Sequence, residues 1–567
     1  ALYGEVPEHL FEYAAVGTIA DLVPLIGENR YIVQKGLEYI RKSSQPWVQA
    51  LCEASGVNKQ DIDEDSIGFY FGPRLNAIGR LGDAKPGVEF LMSEDLATAS
   101  QGAKLLNEKN KERKEYVSSI TEEAMEMIEN NPSIGDSLVL VVAKEGWHPG
   151  VIGIVASRLV EKYYKPTIVL SLDRETGLAK GSGRSIEGFH LYNELAKNKD
   201  IIPHFGGHPM AAGMTFPMEH VDELRTRLHK QASECLTEEL LVPKLTIDVP
   251  INIGEVTVEA IEEMGKLRPF GVAFEKPIFS LQNVQVRSMR KIGANETHLK
   301  MELEDISGII DVVGFNKGYL FDEISDGVEL SIVGDLQVNE WQGRKKPQFL
   351  LSDVQTTEWQ LFDYRGKGNT NQWFKIVPKE NTSFIAFQEE TIEYFQGTLP
   401  FIHLIEEENL PQLSPFIVLL DLPKQIYTME KLIEMAKPKR IYAVFYTPNP
   451  QFFNGMPTRK HFATYYSFLK NQPFINLQKH IQSVSNYIGL NEDTIKFMTK
   501  VFFELGFVTI DNGVISVNVD AKKRSLTEAA TYQLREQQIL IEQQFLYSTY
   551  TELKQWFQKR MKEVSYS

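Results

Sequence analysis

The feature that most constrains the fold lies about a quarter of the way along the chain, where helical periodicity gives way to alternating apolar strands and helices. Residues 138–143 form a continuous apolar run, which is typical of a strand buried on both faces. A loop leads into an apolar helix over residues 151–163, and residues 166–172 form the next strand. This pattern predicts an α/β domain over residues 132–240.

The region before the α/β domain has the apolar spacing of helices. Residues 1–100 are predicted to contain helices at 8–15, 20–25 and 31–40, followed by a turn on Gly and Pro over 68–80. A long polar helix follows at 105–128, with apolar residues at helical spacing. Its charged faces favour a solvated connector, assigned to residues 101–131, over a buried helix.

The region after the α/β domain changes pattern twice. Residues 241–360 contain six strand-like segments, and their spacing suits a small barrel. Residues 361–567 begin as α/β and then become helical, and Asp511-Asn512-Gly513 is a hairpin signal that follows a helix. Helices before a hairpin suggest a winged helix. The predicted fold class is therefore multi-domain α/β with a β-barrel and a winged-helix-like part.

The charge of the chain is unevenly distributed. The formal net charge of −16 argues against a uniformly basic nucleic-acid-binding protein. However, the 57 residues from Met435 to Asn491 contain no Asp or Glu, although the chain average of 76 in 567 predicts about seven or eight. The same stretch carries seven Lys or Arg and eleven aromatic residues. Cations with stacking surfaces suit a nucleic-acid single strand, whereas a core role for many of these aromatic residues is an equal alternative.

Two further observations concern the cellular environment. The only cysteines, Cys52 and Cys235, have no CxxC partner, which fits a reducing cytoplasm and excludes a disulfide scaffold. No window of about 18 residues is both apolar and free of charge, so no membrane span or membrane partner is expected.

A second basic and aromatic patch falls where a loop should join two strands of the barrel. It contains Trp341, Arg344, Lys345 and Lys346. A small barrel with such loops resembles an OB-fold, in which loops and one face bind single strands. A solvated loop is the simpler alternative, so this patch only supports the nucleic-acid hypothesis.

Three elements of the α/β domain are suited to phosphate. Trp147 and His148 precede the N-terminus of the helix at 151–163, where free N–H groups favour an anion. Ser182 and Arg184 lie two residues apart on one side of an extended segment. Gly206-Gly207-His208 places an imidazole on backbone that a ligand can approach closely. If they converge, these elements would hold a terminal or scissile phosphate.

Several sequence motifs, including the three elements above, resemble those of one enzyme family. Residues 17–25 read GTIADLVPL, similar to the fourth motif of the DHH phosphoesterase superfamily, and residues 73–81 read PRLNAIGRL, as in its RecJ branch. The loop at 146–148, the segment at 181–185 and the segment at 206–213 resemble the DHH-associated domain. The resemblance covers residues 10–355, and the remainder resembles the extra C-terminal domain of some bacterial members.

The resemblance implies a metal-dependent 5′→3′ exonuclease specific for single-stranded DNA, with two Mn²⁺ or Mg²⁺ ions. Asp21 would be a catalytic metal ligand, and His208 would act beside the scissile bond. Substrate-binding roles would fall to a larger set: Arg74, Asn76, Arg80, Trp147, His148, Ser182, Arg184, Gly206, Gly207, Trp341 and Lys345. Implied partners are a single-stranded DNA with a 5′ end, a single-stranded-DNA-binding protein and recombination helicases.

The other metal-binding motifs of the superfamily have no match in this chain, which contains no adjacent pair of histidines. We therefore expect a longer natural protein with those motifs upstream of Ala1, and an incomplete metal site here. The expected domains are 1–100, the end of a DHH domain; 101–131, the connector; 132–240, the DHH-associated domain; 241–360, the OB-fold; and 361–567, the C-terminal domain. The alternatives are an oligonucleotide phosphodiesterase of the same superfamily and a non-catalytic single-strand-binding protein.

Overall fold

The computed structural model describes residues 7–366, 373–405, 411–472 and 474–563. The chain forms two compact units, one of Ala1–Val249 with Thr257–Phe279 and one of Pro250–Val256 with Ser280–Ser567. Within the described ranges, no helix is long and apolar enough to cross a membrane.

The first unit begins with helices around one apolar core. They are α1 (Glu8–Ala20), α2 (Gly27–Lys42), α3 (Pro46–Ser55), α4 (Gly72–Leu81), α5 (Lys85–Leu91) and α6 (Leu96–Asn130). The helix predicted at 20–25 is wrong, because α1 ends at Ala20 and Leu22 has a left-handed φ of 55°. The turn predicted at 68–80 is also wrong. A π-helix, Ser66–Phe71, leads directly into α4, and Pro73 lies in the first turn of α4, where a missing N–H costs nothing.

The long helix α6 joins two successive cores, but it is packed into both and not solvated on all sides. Its first part, through Ala99, Ala103 and Leu106, packs into the core of the preceding helices. Its second part, including Val117 and Ile128, packs into the core beneath the α/β sheet. Burial in two successive cores corrects the prediction made from its charged faces, which cover only the outer side of the helix.

The α/β domain contains one five-stranded sheet. Its elements are α7 (Pro132–Gly135), β1 (Leu140–Glu145), α8 (Ile152–Tyr163), β2 (Thr167–Asp173), β3 (Leu178–Arg184), α9 (Leu191–Ala196), β4 (His204–His208), β5 (Ala211–Pro217) and α10 (Val221–Cys235). The strand order is β1-β2-β3-β5-β4, parallel only between β1 and β2. The α/β pattern predicted from the sequence is confirmed.

A closed barrel follows. Its elements are β6 (Val249–Ile251), α11 (Val258–Gly265), β7 (Phe279–Ile292), β8 (His298–Asp305), β9 (Gly308–Gly314), β10 (Glu329–Trp341) and β11 (Arg344–Gln355). Pairing of β10 with β7 closes the sheet, which confirms the OB-like barrel. The left-handed turn at Gln342 and Gly343 joins the long strands β10 and β11.

The next part is a parallel sheet of the second unit. Its elements are β12 (Gln360–Asp363), α12 (Trp373–Ile376), β13 (Thr382–Ala386), α13 (Glu389–Phe395), β14 (Ile402–Leu404), β15 (Phe416–Leu419), α14 (Ile426–Ala436) and β16 (Arg440–Ala443). The strand order is β12-β16-β15-β13-β14. The inner strands β13, β15 and β16 are short and buried on both faces, as expected in a parallel sheet, whereas the edge strand β14 is half-buried.

The chain ends in a winged-helix-like module followed by two helices. The elements are α15 (Arg459–Asn471), β17 (Ile475–Asn476), α16 (Leu477–Ile488), α17 (Glu492–Glu504), β18 (Val508–Asp511), β19 (Val514–Val517), α18 (Ala530–Ile541) and α19 (Tyr550–Glu563). The sheet order β17-β19-β18 and the hairpin at Asn512 confirm the winged-helix prediction. The core alternative holds for Tyr442 and Tyr465, which are fully buried. Phe453 and Tyr487 are 80% and 73% exposed, and their stacking on a single strand stays a prediction.

Candidate nucleic-acid interface

The register of the α/β sheet brings two of the predicted phosphate-binding elements to one end. Arg184 on β3 pairs with Ala211 on β5, which pairs with His208 on β4. Because residues directly opposite each other in antiparallel strands share a face, the Arg184 and His208 side chains belong to the same face, one strand apart. In the same way, Ser182 lies level with Gly206.

Ser182 and Arg184 lie against the start of α8, the third element. A Cβ atom added to Gly153 would lie 2.9 Å from the Ser182 Oγ and 3.1 Å from an Arg184 Nη atom. Arg184 Nη1 donates to the Ser182 Oγ over 3.1 Å and to the Gly183 carbonyl over 2.8 Å. The hydroxyl and guanidinium are therefore held together beside the first turn of a helix, where the helix dipole favours an anion.

Trp147 is buried and anchors the loop that precedes α8. This indole is 4% exposed and donates to Glu123 Oε2 over 2.8 Å, and Ser171 Oγ donates to the Trp147 carbonyl over 2.6 Å. The Trp147 and Lys144 hydrogen bonds lower the pKa of Glu123. His148 Nδ1 accepts from the Gly150 N–H over 3.1 Å. Trp147 thus shapes the loop, and its contact with a substrate remains a prediction.

Arg80 approaches the same loop from the end of α4. Its Nη1 lies 3.4 Å from the Gly150 carbonyl, and a Cβ atom on Gly150 would fall 1.9 Å from the Arg80 carbonyl. Only glycine permits this approach between the backbone of α4 and the loop before α8. The structure therefore brings Arg80 to the group formed by His148, Ser182 and Arg184.

Two arginines that sequence reasoning missed complete a cationic cluster. Burial and then the charge of Arg80 lower the pKa of Arg184. Burial, Arg80 and Arg158 likewise lower the pKa of Arg113. Like charges held together in this way favour a polyanionic ligand. The Arg113 Nε is buried and has no hydrogen-bond partner among the described residues.

A sequence signal for Arg113 does exist. On α6, buried residues recur at positions 106, 110, 117, 120 and 124, and Arg113 completes the interval of three and four. A charged residue at such a position is expensive to bury unless it is paired or functional. Arg158 is exposed on α8 and gives no comparable signal.

The other predicted residues are exposed or already engaged within the helical region. Arg74 donates to the Tyr70 carbonyl over 2.8 Å and to Asn107 Oδ1 over 3.2 Å, and burial lowers its pKa. Asn76 is exposed on α4. Asp21 is exposed at the C-cap of α1. Their substrate and metal roles remain predictions.

The described residues do not fit the two-metal site that the resemblance implies. No group of three or more His, Cys, Asp or Glu residues that could hold a metal ion occurs among them. Asp21 alone cannot hold two divalent cations, because a two-metal site needs several protein ligands and Mg²⁺ alone takes six ligands in octahedral geometry.

The barrel carries the second basic patch on one hairpin. Trp341 ends β10 with its ring 73% exposed, and it pairs with Arg344 across the turn. Lys345 pairs with Glu340, and all four side chains of the patch are exposed. An exposed indole beside cations is a stacking surface of the kind that single strands use.

Three family descriptions match successive parts of the chain. Residues 135–234 match the DHHA1 domain, residues 247–353 match the RecJ OB domain, and residues 360–557 match the C-terminal domain of single-strand DNA-specific exonucleases. The single-stranded-DNA-specific exonuclease RecJ of Bacillus subtilis is 44% identical over 571 residues, spanning 100% of this chain and 72% of that protein. The chain belongs to the RecJ family.

Other RecJ proteins match a smaller share of the chain. The RecJ of Haemophilus influenzae is 33% identical over 356 residues and covers 61% of each chain. Two crystal structures of Thermus thermophilus RecJ, in complex with Mg²⁺ and with Mn²⁺, both give a TM-score of 0.54 at 22% identity. They cover 80% of this chain and 67% and 64% of those chains, and they support the RecJ fold.

Proposed function

We propose that this chain is the substrate-gripping part of a single-stranded-DNA-specific 5′→3′ exonuclease, and that its α/β domain holds the 5′-phosphate. The observation that carries the proposal is the contact of Ser182 and Arg184 with the first turn of α8 at Gly153. Arg80, Arg113 and Arg158 add positive charge around this contact. A terminal phosphate carries more charge and more free acceptor oxygens than an internal one, so it suits such a cluster best.

The remaining predicted residues have roles consistent with this proposal. His208, level with Arg184 on the edge strand β4 with β5 between them, would lie beside the scissile bond. Trp341 and Lys345 on the barrel hairpin would contact the strand beyond its 5′ end. Asp21 would contribute one ligand to a site for Mn²⁺ or Mg²⁺, and the described residues form no cluster that supplies the others.

We expect the 567-residue chain to bind 5′-phosphorylated single strands without hydrolysing them. Binding depends on residues that are present, whereas the described residues form no cluster able to hold two divalent cations. The test compares fluorescence-anisotropy binding with gel-based digestion of the same labelled oligonucleotide in Mn²⁺. Calorimetry with Mn²⁺ alone should give no tight site, and rapid Mn²⁺-dependent digestion would show that the metal site is complete.

The same assays separate the two alternative functions. A phosphodiesterase for short oligonucleotides would hydrolyse dinucleotides at least as well as long single strands. A non-catalytic single-strand-binding protein would show no preference for a 5′-phosphate, because its contacts would follow the backbone alone. The cationic cluster at the end of one sheet favours recognition of the strand terminus over both.

We also propose that the winged-helix module binds an acidic segment of a single-stranded-DNA-binding protein. A cavity of about 320 Å³ lies beside α15, with an aromatic floor that includes Tyr466 and Phe507. Arg459, Lys523 and Arg524 lie at the same cavity, which has no acidic lining residue among those described. Cations around an apolar floor fit a segment that combines carboxylates with an apolar side chain.

The charge-reversed double variant Arg459→Glu with Lys523→Glu tests this partner. We expect at least a tenfold loss of affinity for the single-stranded-DNA-binding protein in a pull-down or by calorimetry, because two attractive contacts become repulsive. Lys479→Glu, an exposed change on α16 outside the cavity, is the matched control. Undiminished binding by the double variant would exclude this cavity, and loss of binding to a recombination helicase instead would reassign it to that partner.

Finally, we propose a cytoplasmic location. Cys52 and Cys235 are both free in the structure, which fits a reducing compartment. DNA processing of the kind proposed here takes place in the same compartment.

A further inference from the structure

The parallel sheet of the second unit contains a topological switch point between β13 and β15, where the connections to the next strands run in opposite directions. From β13 it runs through α13 to β14 on one side, whereas from β15 it runs through α14 to β16 on the other. β13 and β15 are neighbours and parallel. In open α/β sheets, ligands bind in the crevice outside the carboxyl ends of the strands at such a switch point.

A cavity of about 470 Å³ lies at this switch point. Gln388 and Glu389 line it from the end of β13, Leu404 and Ile405 from the end of β14, and Thr428 from the start of α14. The volume is within the range of sites for small ligands and cofactors. The residues that line the cavity all belong to the parallel sheet and its helices, whereas the residues assigned to DNA binding belong to the α/β domain and the barrel.

The walls of the crevice are held rigidly by a buried carboxylate. Asp421, which follows β15 and is fully buried, accepts from the Phe387 N–H over 2.7 Å and from the Gln388 N–H over 3.1 Å. Gln388 Nε2 donates to the Leu422 carbonyl over 3.2 Å. These bonds tie the ends of the two strands together and fix the opening between them, as a preformed binding site requires.

Three charged side chains at the crevice are free of partners among the residues that the structure describes. Within the described part of the chain, Lys424, Glu389 and Glu390 have no ion pair or side-chain hydrogen bond, although all three line the cavity. Lys424 directly precedes Gln425, the N-cap of α14, which makes no side-chain capping bond. One wall thus offers a cation beside helix N–H groups, and the opposite wall offers two carboxylates that accept hydroxyl hydrogen bonds.

We propose that this crevice binds a nucleoside 5′-phosphate. Lys424 would bind the phosphate, the carboxylates of Glu389 and Glu390 would accept from the sugar hydroxyls, and Leu404 and Ile405 would contact the base. This division follows the general arrangement of nucleotide crevices in α/β sheets, where a cationic or N–H-rich element takes the phosphate and an acidic residue takes the ribose. The site goes beyond the proposed exonuclease function, and no step of DNA hydrolysis depends on it.

The test is calorimetry of the full chain with AMP, dAMP and inorganic phosphate, combined with hydrogen exchange to locate the ligand. All proteins carry Arg184→Ala, so that the phosphate site of the α/β domain cannot account for binding. We expect saturable AMP binding, at least tenfold tighter than phosphate, with slower exchange at residues 387–390 and 424–428. Lys424→Ala should weaken AMP binding about tenfold or more, which is the loss expected for one hydrogen bond to a charged group.

Two further variants complete the design. Thr428→Val removes a hydroxyl from the lining and should weaken AMP binding, and thermal melting of the same variant shows separately whether the fold is kept. Lys460→Ala, on an exposed lysine of α15, should leave AMP affinity unchanged. Absence of saturable AMP binding at millimolar concentration would overturn the proposal, as would protection confined to other segments or equal affinity for phosphate and AMP. Preference for AMP over dAMP would assign the carboxylates to the 2′-hydroxyl, and equal binding would assign them to the 3′-hydroxyl.

Discussion

Arg184→Ala is expected to abolish the preference of the chain for a 5′-phosphate. A hydrogen-bonded guanidinium that contacts a terminal phosphate contributes about 2 to 3 kcal/mol, so affinity for a 5′-phosphorylated single strand should fall about 30- to 150-fold. Affinity for the same strand with a 5′-hydroxyl should change little, because Arg184 has no terminal phosphate to contact there. Fluorescence anisotropy with the two labelled oligonucleotides measures both values.

The two proteins and two oligonucleotides form a cycle that isolates the contact. The coupling energy of this cycle should account for most of the binding free energy lost on Arg184→Ala. A general electrostatic effect would instead weaken the binding of both oligonucleotides equally. Arg174→Ala provides the matched control, because Arg174 is an exposed arginine in the turn between β2 and β3, at the other end of β3. If Arg184→Ala lowered the affinity for both oligonucleotides equally, Arg184 would not be the residue that binds the 5′-phosphate.

Gly207→Ala is expected to disrupt the edge of the α/β sheet. Its Cβ would lie 2.2 Å from the Ala211 carbonyl oxygen and 2.6 Å from the Ala212 Cα, both of which are backbone atoms of the neighbouring strand. Backbone cannot move aside as a flexible side chain can, so we expect a destabilisation of about 2 to 3 kcal/mol. Displacement of β4 should also move His208 out of the row that it shares with Arg184.

Gly206→Ala is the control for this change. A Cβ on Gly206 would have nothing within 4 Å, so its effect on stability should stay within about 0.5 kcal/mol. Chemical denaturation of both variants gives the comparison, and hydrogen exchange over residues 204–217 shows whether the loss is local. Equal stability of the two variants would show that a Cβ atom at Gly207 does not clash with the neighbouring strand.

Much of the architecture was predictable because hydrophobic periodicity is a local property. The helix predicted at 31–40 lies inside α2, and that at 151–163 matches α8 to within one residue. The barrel and the hairpin at Asn512 were predictable from strand spacing and turn chemistry. The segment at 68–80 was not, since glycine and proline signal a turn only where the surrounding packing does not stabilise a helix.

The candidate site was predictable only in part. Ser182, Arg184 and His208 were found because glycines and polar residues cluster near them in sequence, and strand register then places them together. Arg113 lies on α6, more than 60 residues before Ser182 and Arg184. Its place in the cationic cluster is therefore visible only once α6 is packed against α8. The burial of Tyr442 and Tyr465 likewise depends on tertiary packing, which composition cannot encode.

The 35 residues of α6 also set how the first unit loses its structure. A helix of this length spans about 50 Å, and each of its halves is buried in a different core. Unfolding of either core would expose one half of α6 to solvent. The other half would then end inside the former helix, and its terminal hydrogen bonds would open. We therefore expect the N-terminal helices and the α/β sheet to unfold as a single cooperative block, with one calorimetric transition.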